Sequence, residues 1–370
     1  MDILSFLITF VVFLFILGLL IFVHELGHFL VAKRAGVKVE EFAFGFPPRL
    51  WAKKRGETTY AINAIPLGGY VKMLGEDGES KSSRSFANKS FSRRLAILVA
   101  GVSMNFILAA VLLSFGFGIG MAPLSIFGSA DEYLGAQVSS KTIIAQVVSG
   151  SPAALADFKE GDEVLAVRDG AYQQIIEAKQ VPEYTKAHAG QNVTFILKRE
   201  GKQIERSATL RSESKPNEGY LGVQVAEQIS KVQYAWWQAP FVGLFMAGKV
   251  LVMTFVFVWD MLKNLIIHFQ APTDVAGPLG IFFIVGQAIP QGWSYVLQLI
   301  AIISVNLAVI NILPFPALDG GRLLFVVIEK IRGKKVTPQI EAMVHNIGFI
   351  ILLILVAIVT YYDIVRLRGQ

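Results

Sequence analysis

Residues 3–23 of this chain carry no charge, and they run directly into His24-Glu25-Leu26-Gly27-His28. About 20 consecutive apolar residues are enough to cross a bilayer as a helix, so this stretch predicts a transmembrane segment. Ionised groups within such a segment cost ~2.5 kcal/mol or more each. The pentapeptide therefore indicates either a function inside the membrane or a polar helix end that reaches the membrane surface.

His24, Glu25 and His28 fit a metal site on that helix. Residues four apart face the same side of a helix, so both imidazoles can bind one Zn²⁺ with Glu25 beside them as a general base. The chain contains no cysteine, which leaves His, Asp and Glu as the expected ligands. We therefore expect a zinc cofactor and a catalytic Glu25.

Composition and charge favour a membrane protein. Hydrophobic residues make up 54% of the 370 residues and charged residues only 17%, below the ~25% that is usual in soluble domains. Residues 33–94 carry 13 Lys and Arg against 6 Asp and Glu, whereas residues 122–235 carry 12 against 14. Because basic loops mark the cytoplasmic side, we expect 33–94 inside the cell and 122–235 outside it. The net charge of +6 is then a topology signal, and we expect no nucleic-acid partner.

Hydropathy predicts a polytopic α-helical protein with about four transmembrane helices. Their expected positions are 3–23, 95–121, 295–313 and 347–361. The stretch 241–267 is also apolar, but it contains Lys249, Asp260 and Lys263. A further full span there would place Asp319 on the opposite membrane face from His24. We therefore expect 241–267 to lie along the outer interface.

A membrane-associated β-hairpin is predicted just after the metal motif. Residues 58–73 (TTYAINAIPLGGYVKM) are rich in β-branched and aromatic residues and contain paired glycines. Irregular backbone at membrane depth must be covered by protein or line a wet cavity. An exposed strand edge there could pair with an extended substrate, and the alternative is a plain cytoplasmic hairpin. The candidate substrate-binding residues of this segment are Tyr60, Ile62, Gly68 and Gly69.

A second polar cluster lies in the sequence NLAVINILPFPALDGGR, which begins at Asn306. Pro314 and Pro316 end an apolar helix and present Asp319 on irregular backbone. Its carboxylate would complete a zinc site of two histidines and one oxygen ligand, with one position open for water. Asn306 and Asn311 could bind the substrate carbonyl or the developing oxyanion, or they could form hydrogen bonds between helices.

Residues 122–230 are expected to form one inserted α/β domain. Its sequence pattern, SPAA followed by GDEVLAV and by a hairpin with REGK at its turn, resembles a PDZ domain. The segment EGYLGV, which contains Gly222, could cradle a peptide carboxylate beside a sheet edge. The alternative is a strand that closes the domain without any ligand.

Taken together, HELGH, PLGGYVKM, the PDZ-like insert and NILPFPALDGG resemble the site-2 protease family of intramembrane zinc metalloproteases. The bacterial PDZ-containing branch, which cleaves membrane-anchored anti-sigma factors, is the most similar. Residues 100–106 (AGVSMNF) are similar to a family Ala-Gly-Pro-x-x-Asn-Phe segment, with Val102 in place of proline. The resemblance implies zinc ligation by His24, His28 and Asp319, a catalytic base at Glu25, and substrate contacts at Asn311, Pro314 and Pro316.

The resemblance also implies a multi-pass protein of the cell inner membrane, with its PDZ-like domain on the extracytoplasmic side. Its partners would be the lipid bilayer and single-span membrane proteins already trimmed by a first protease. Two other classes of protein remain open from the residues alone, a non-catalytic membrane scaffold and a metal transporter. The expected domains are an N-terminal membrane part (1–121), the PDZ-like domain (122–230), an interfacial linker (231–294) and a C-terminal membrane part (295–370).

Overall fold

A computed structural model describes most of the chain. The described residues are 2–76, 80–124, 133–168, 172–175, 177–199, 201–214, 218–268, 275–334 and 336–368. The chain forms two compact units: Met1–Gly118 together with Trp236–Gln370, and Ile119–Ala235. The expected insert at 122–230 falls within the second unit.

Helices and strands are mixed up to residue 233, and the described elements after it are all helices. The helices are α1 (Ile3–Arg34), α2 (Phe91–Ile119), α3 (Pro152–Leu155), α4 (Gln180–Ala187), α5 (Ala239–His268), α6 (Pro278–Gln291), α7 (Trp293–Ile312), α8 (Asp319–Arg332) and α9 (Pro338–Arg368). The strands are β1 (Val39–Arg55), β2 (Thr58–Met73), β3 (Gln137–Val147), β4 (Glu163–Arg168), β5 (Tyr172–Gln174), β6 (Asn192–Arg199), β7 (Lys202–Thr209) and β8 (Val223–Gln233).

In the part of the chain that the structure describes, five helices are long and apolar enough to cross a membrane. They are α1, α2, α5, α7 and α9. The sequence predicts about four such helices, and the additional candidate is α5. Lys249 is the single charge between Phe241 and Trp259, and its Nζ lies 5.5 Å from the centroid of the Phe245 ring. An interfacial position for α5 stays a prediction.

The helices of the first unit pack through apolar side chains. One cluster joins α1 to α6 and α7 through Ile16, Leu20, Val285 and Ile303. A second cluster joins the end of α1 to β1, β2, α2 and α8; it includes Ala32, Val39, Val71, Ile97 and Val326. Between these two clusters, the His24–His28 segment of α1 contacts Ile97 of α2 and Asp319 at the start of α8.

β1 and β2 form a folded-over antiparallel sheet rather than a simple hairpin. Residues 39–44 pair with 69–73 on one side and with 59–62 on the other, and 49–55 pair with the far side of 58–63. The β structure predicted at 58–73 is therefore present, but its partner is the long strand β1. The order across the sheet is 69–73, 39–44, 58–63, 49–55. Among the described residues, 69–73 has no second neighbouring strand, so it is an edge.

The turn between β1 and β2 is fastened to the end of α1. The Glu57 carboxylate accepts hydrogen bonds from Arg84 at 2.6 Å and from Lys33 at 3.0 Å. These two cations lower the pKa of Glu57 to about 2. The carboxylate therefore stays ionised at neutral pH and keeps the sheet beside the helix that carries the pentapeptide.

The second unit is built on one antiparallel sheet. Its strand order is β7-β6-β4-β3-β8, with β5 paired to β4. Phe195 and Leu197 of β6 are fully buried in its core. The Asp162 side chain is 1% exposed and pairs with Arg199, Nε to Oδ1, at 2.7 Å. This is the α/β module that the sequence predicts, and its identity as a PDZ domain stays a prediction.

Candidate active site

The pentapeptide lies in the last third of α1, where its spacing puts both histidines on one face. The rings of His24 and His28 are 4.8 Å apart between centroids, at an interplanar angle of 77°. Their Nε2 atoms are 3.2 Å apart. Two imidazole nitrogens on neighbouring turns of one helix therefore point at the same small volume.

Asp319 reaches the same volume from the other end of the chain. As the two prolines predict, α7 ends at Ile312, and Asp319 becomes the first residue of α8. Its Oδ2 lies 3.0 Å from Nε2 of His24 and 3.1 Å from Nε2 of His28. The irregular backbone between the two helices thus delivers a carboxylate to the histidines across 291 positions of sequence.

These three side chains fit a zinc ion. The ligand atoms stand 3.0–3.2 Å from one another, and a tetrahedral zinc with bonds of 2.0–2.2 Å separates its ligands by roughly 3.3 Å. The side chains of His24, His28 and Asp319 are 12%, 8% and 21% exposed, so the cluster is shielded from bulk water. The described residues contain this one group of three or more His, Asp or Glu that could hold a metal.

His28 is oriented for ligation by the backbone of α2. Its Nδ1 lies 2.8 Å from the carbonyl oxygen of Ile97, which can only accept a hydrogen bond. The ring proton therefore sits on Nδ1, and the lone pair of Nε2 is left for a metal. Such a partner for the second ring nitrogen is the usual companion of a histidine ligand.

Two glycines allow the close approach of α1 and α2. A side chain at Gly27 would collide with the backbone of Ala100, and one at Gly101 would collide with both imidazole rings. The absence of side chains at these positions brings the helices together and leaves room for the rings. Neither glycine was singled out from the sequence as a site residue.

Glu25 lies beside a cavity of about 570 Å³ that His28 and Asp319 also line. Residues 69–73, the edge strand of the folded-over sheet, form another wall of this cavity. A Cβ on Gly69 would lie 3.1 Å from Cγ of Glu25, so the edge strand packs against the Glu25 side chain. The cavity therefore brings together the metal cluster, a carboxylate and an unpaired strand edge.

The other residues proposed from the sheet occupy different places. Gly68 packs against the ring of Phe46. Tyr60 and Ile62 lie on the strand 58–63, which has a neighbouring strand on both sides. Their backbones are thus inside the sheet, whereas Gly69 begins the edge that faces the cavity.

The residues proposed from α7 and the following loop also separate. Asn306 accepts a hydrogen bond from Oγ1 of Thr254 in α5 at 2.9 Å, which is the helix-to-helix alternative. Asn311 is half-buried in the last turn of α7. Pro316 contacts Gly348 of α9, and Pro314 follows directly after the end of α7.

Gly222 belongs to the second unit. Its φ of +82° is a conformation that favours glycine. Its carbonyl oxygen accepts the backbone N–H of Val148 at 3.0 Å and the hydroxyl of Ser151 at 3.3 Å. These contacts supply a structural reason for the glycine, and its contact with a peptide carboxylate stays a prediction.

Three contacts near the site were not anticipated. Nδ1 of His345 in α9 accepts the backbone N–H of Ala317, a residue with a φ of +77°, at 2.9 Å. Arg322, one turn after Asp319, forms an ion pair with Glu76 of the segment after β2. Asn105 of α2 reaches His24. In the sequence, each of these residues is only a polar residue in or next to an apolar run. That pattern does not predict which residue it contacts.

Known zinc metalloproteases are similar to this chain over nearly its whole length. The model of peptidase family M50 matches residues 12–355. A protein of Clostridium acetobutylicum, named a putative zinc metalloprotease, is 35% identical over 94% of this chain and 95% of its own length. The zinc metalloprotease RasP of Geobacillus kaustophilus is 30% identical over 95% and 96%, and RasP of Shouchella clausii is 29% identical over 97% and 99%.

The match to the family model covers nearly the whole chain, and two histidines and an aspartate that could hold a metal ion converge in the fold. Apolar helices of membrane-spanning length carry or adjoin this centre. The chain therefore belongs to peptidase family M50, the site-2 protease family, and is a zinc metalloprotease of the membrane.

Proposed function

We propose that this enzyme hydrolyses the transmembrane segments of single-span proteins, such as anti-sigma factors already trimmed by a first protease. The observation that carries the proposal is the position of Glu25 and the two histidines within α1, a helix of membrane-spanning length. If α1 spans the membrane, a peptide bond would meet this group within the depth of the bilayer. Regulated intramembrane proteolysis is the activity that the family implies.

The proposed chemistry divides the roles among four side chains. His24, His28 and Asp319 hold the zinc ion, and Glu25 is the general base. When bound, zinc acts as a Lewis acid that acidifies water and polarises the scissile carbonyl. Glu25 takes the proton of the attacking water and delivers it to the nitrogen of the leaving amine. Glu25 lines the cavity in which the attacking water and the nitrogen of the leaving amine would lie.

The substrate must be extended before it can be cut, since the carbonyls of a helix are engaged in its own hydrogen bonds. We propose that the edge strand 69–73 binds an unwound segment by adding a strand to the sheet. Gly68 and Gly69 introduce this edge without side chains that would block it. Tyr60 and Ile62 would act from the interior strand, by holding the sheet in place.

The loop before Asp319 is the proposed second side of the substrate site. Asn311, Pro314 and Pro316 come directly before the metal ligand, where they can steady an extended chain. Asn306 is assigned to the same role by the sequence. Its bond to Thr254 supports a further role in holding α5 against α7.

The distribution of charge supports a cytoplasmic-membrane enzyme with the basic segment 33–94 inside the cell. The unit Ile119–Ala235, including Gly222, would then lie on the extracytoplasmic side. We propose that it acts as a PDZ-like size filter, which admits a substrate after its bulky outer domain has been removed. Such a step would couple this cleavage to an earlier one by another protease.

Cleavage of one single-span protein in two forms tests the proposal, the first with its folded outer domain and the second with that domain trimmed. The intact enzyme should cut only the trimmed form, while a variant with residues 141–226 replaced by a Gly/Ser linker should cut both. The Asp319→Ala variant gives the background rate of substrate cleavage. Failure of the zinc-loaded enzyme to cut the trimmed form would contradict the function. Loss of both cleavages in the deletion variant, with zinc still bound, would contradict only the filter.

A further inference from the structure

Asn105 is a polar residue in the middle of the apolar helix α2, and its side chain is directed at the zinc centre. It is 0% exposed. Its Nδ2 lies 3.5 Å from Nδ1 of His24, which is long for a hydrogen bond. Its Oδ1 is buried and has no hydrogen-bond partner among the described residues. A buried amide oxygen without a donor is costly, so this one calls for an explanation.

His24 needs an acceptor at the place where Asn105 stands. Nε2 of His24 faces Asp319 and His28, so it is the nitrogen that binds zinc. A neutral imidazole that binds through Nε2 carries its proton on Nδ1. Within the described structure, Asn105 supplies the side chain that reaches this nitrogen. The His24 side chain is only 12% exposed, so a side chain already at this nitrogen is well placed to act as the acceptor.

A half-turn of the Asn105 amide brings the required acceptor into place. The rotation exchanges Oδ1 and Nδ2, which have nearly the same size, and it breaks no hydrogen bond made by Oδ1. The backbone of Asn105 is fixed meanwhile, because its carbonyl accepts the hydroxyl of Ser304 in α7 at 2.8 Å. The amide can thus change its face toward His24 while the residue stays where it is.

We propose that Asn105 is a positioning residue that accepts the Nδ1 proton of His24 and thereby holds Nε2 toward the zinc ion. It does for His24 what the Ile97 carbonyl does for His28. The two ligands differ in one respect that matters for a test. The partner of His28 is a backbone group, whereas the partner of His24 is a side chain that mutation can remove.

Zinc affinity of the purified full-length enzyme in detergent, measured by competition with a chromophoric chelator, tests this role without measuring proteolysis. Asn105→Ala and Asn105→Leu both lack the acceptor and should weaken zinc binding by about 10- to 100-fold. Asn105→Asp keeps an acceptor oxygen and should bind zinc within about threefold of the wild type. Gln298→Met, which removes another buried amide (5% exposed) from α7, is the matched control and should leave the affinity unchanged.

Two results would overturn the proposal. The first is wild-type zinc affinity in Asn105→Ala, the variant that carries the test if the larger leucine prevents folding. The second is an equal loss of affinity in Asn105→Asp and Asn105→Ala, because the acceptor oxygen would then be irrelevant and only the shape of the residue would matter.

Discussion

Gly101 occupies the point of α2 that faces the two histidine ligands. A methyl group there would collide with Nε2 of His28 and with the ring of His24. Protein interiors are packed too densely for both rings to move aside without displacing other groups. The rings would therefore lose the common direction of their Nε2 atoms, which is the property that zinc binding needs.

Gly101→Ala should accordingly weaken zinc binding at least tenfold, while Gly248→Ala in α5 should leave it unchanged. An added Cβ at Gly248 meets no other atom within 4 Å, so the second variant controls for the same change of residue type in a membrane helix. Zinc content at a buffered free-zinc concentration is the measurement. Full occupancy in Gly101→Ala would show that the rings do not depend on this glycine.

The convergence of His24, His28 and Asp319 was predictable from sequence, and the residues packed around them were not. The i, i+4 spacing of His24 and His28 fixes their common face through helix geometry alone. Asp319 was identified because two prolines end a helix just before it. Gly101 and Asn105 act through the packing of α2 on α1, and side chains roughly 70–80 positions apart in sequence meet only once the tertiary fold is formed.

Among the elements, the folded-over sheet shows that local sequence patterns can predict an extended strand but not the order in which strands pair. The β-branched residues of 58–73 predicted extended structure, and β2 has it. The strand order depends on the long strand β1. Its register shifts let residues 41–44 pair on both sides. The edge that faces the cavity is consequently 69–73, whereas Tyr60 and Ile62 lie inside the sheet.

Disulfide cross-linking can locate the substrate at this edge, because the chain has no cysteine of its own. Lys72→Cys lies on the edge strand, and Lys53→Cys lies on the opposite outer strand, so the two lysines form a matched pair. In a Glu25→Gln background, a single-span substrate with one cysteine near its cleavage site should cross-link to position 72. The yield at position 53 should be at least tenfold lower. Equal yields, or a preference for position 53, would contradict binding at the edge strand.

At the scale of the whole molecule, the zinc centre joins the two ends of the chain. α1 and α8 belong to the same compact unit, although the second unit, Ile119–Ala235, is inserted between them in sequence. The order of motifs and the charge of the segments predicted this arrangement. The number of apolar helices was less predictable, because α5 carries Lys249, Asp260 and Lys263 in an otherwise apolar run. Lys249 lies near the ring of Phe245 in the same helix.

We propose that three side chains hold zinc while Glu25 moves the proton. Zinc content and cleavage of a trimmed single-span substrate, measured on the same preparations of wild type, Glu25→Gln and Asp319→Ala, test it most directly. Glu25→Gln should keep its zinc and lose about 10²- to 10⁴-fold in cleavage rate, since it loses general base catalysis alone. Asp319→Ala should lose both. Cleavage by Glu25→Gln within about tenfold of the wild type, or full zinc content in Asp319→Ala, would contradict the account.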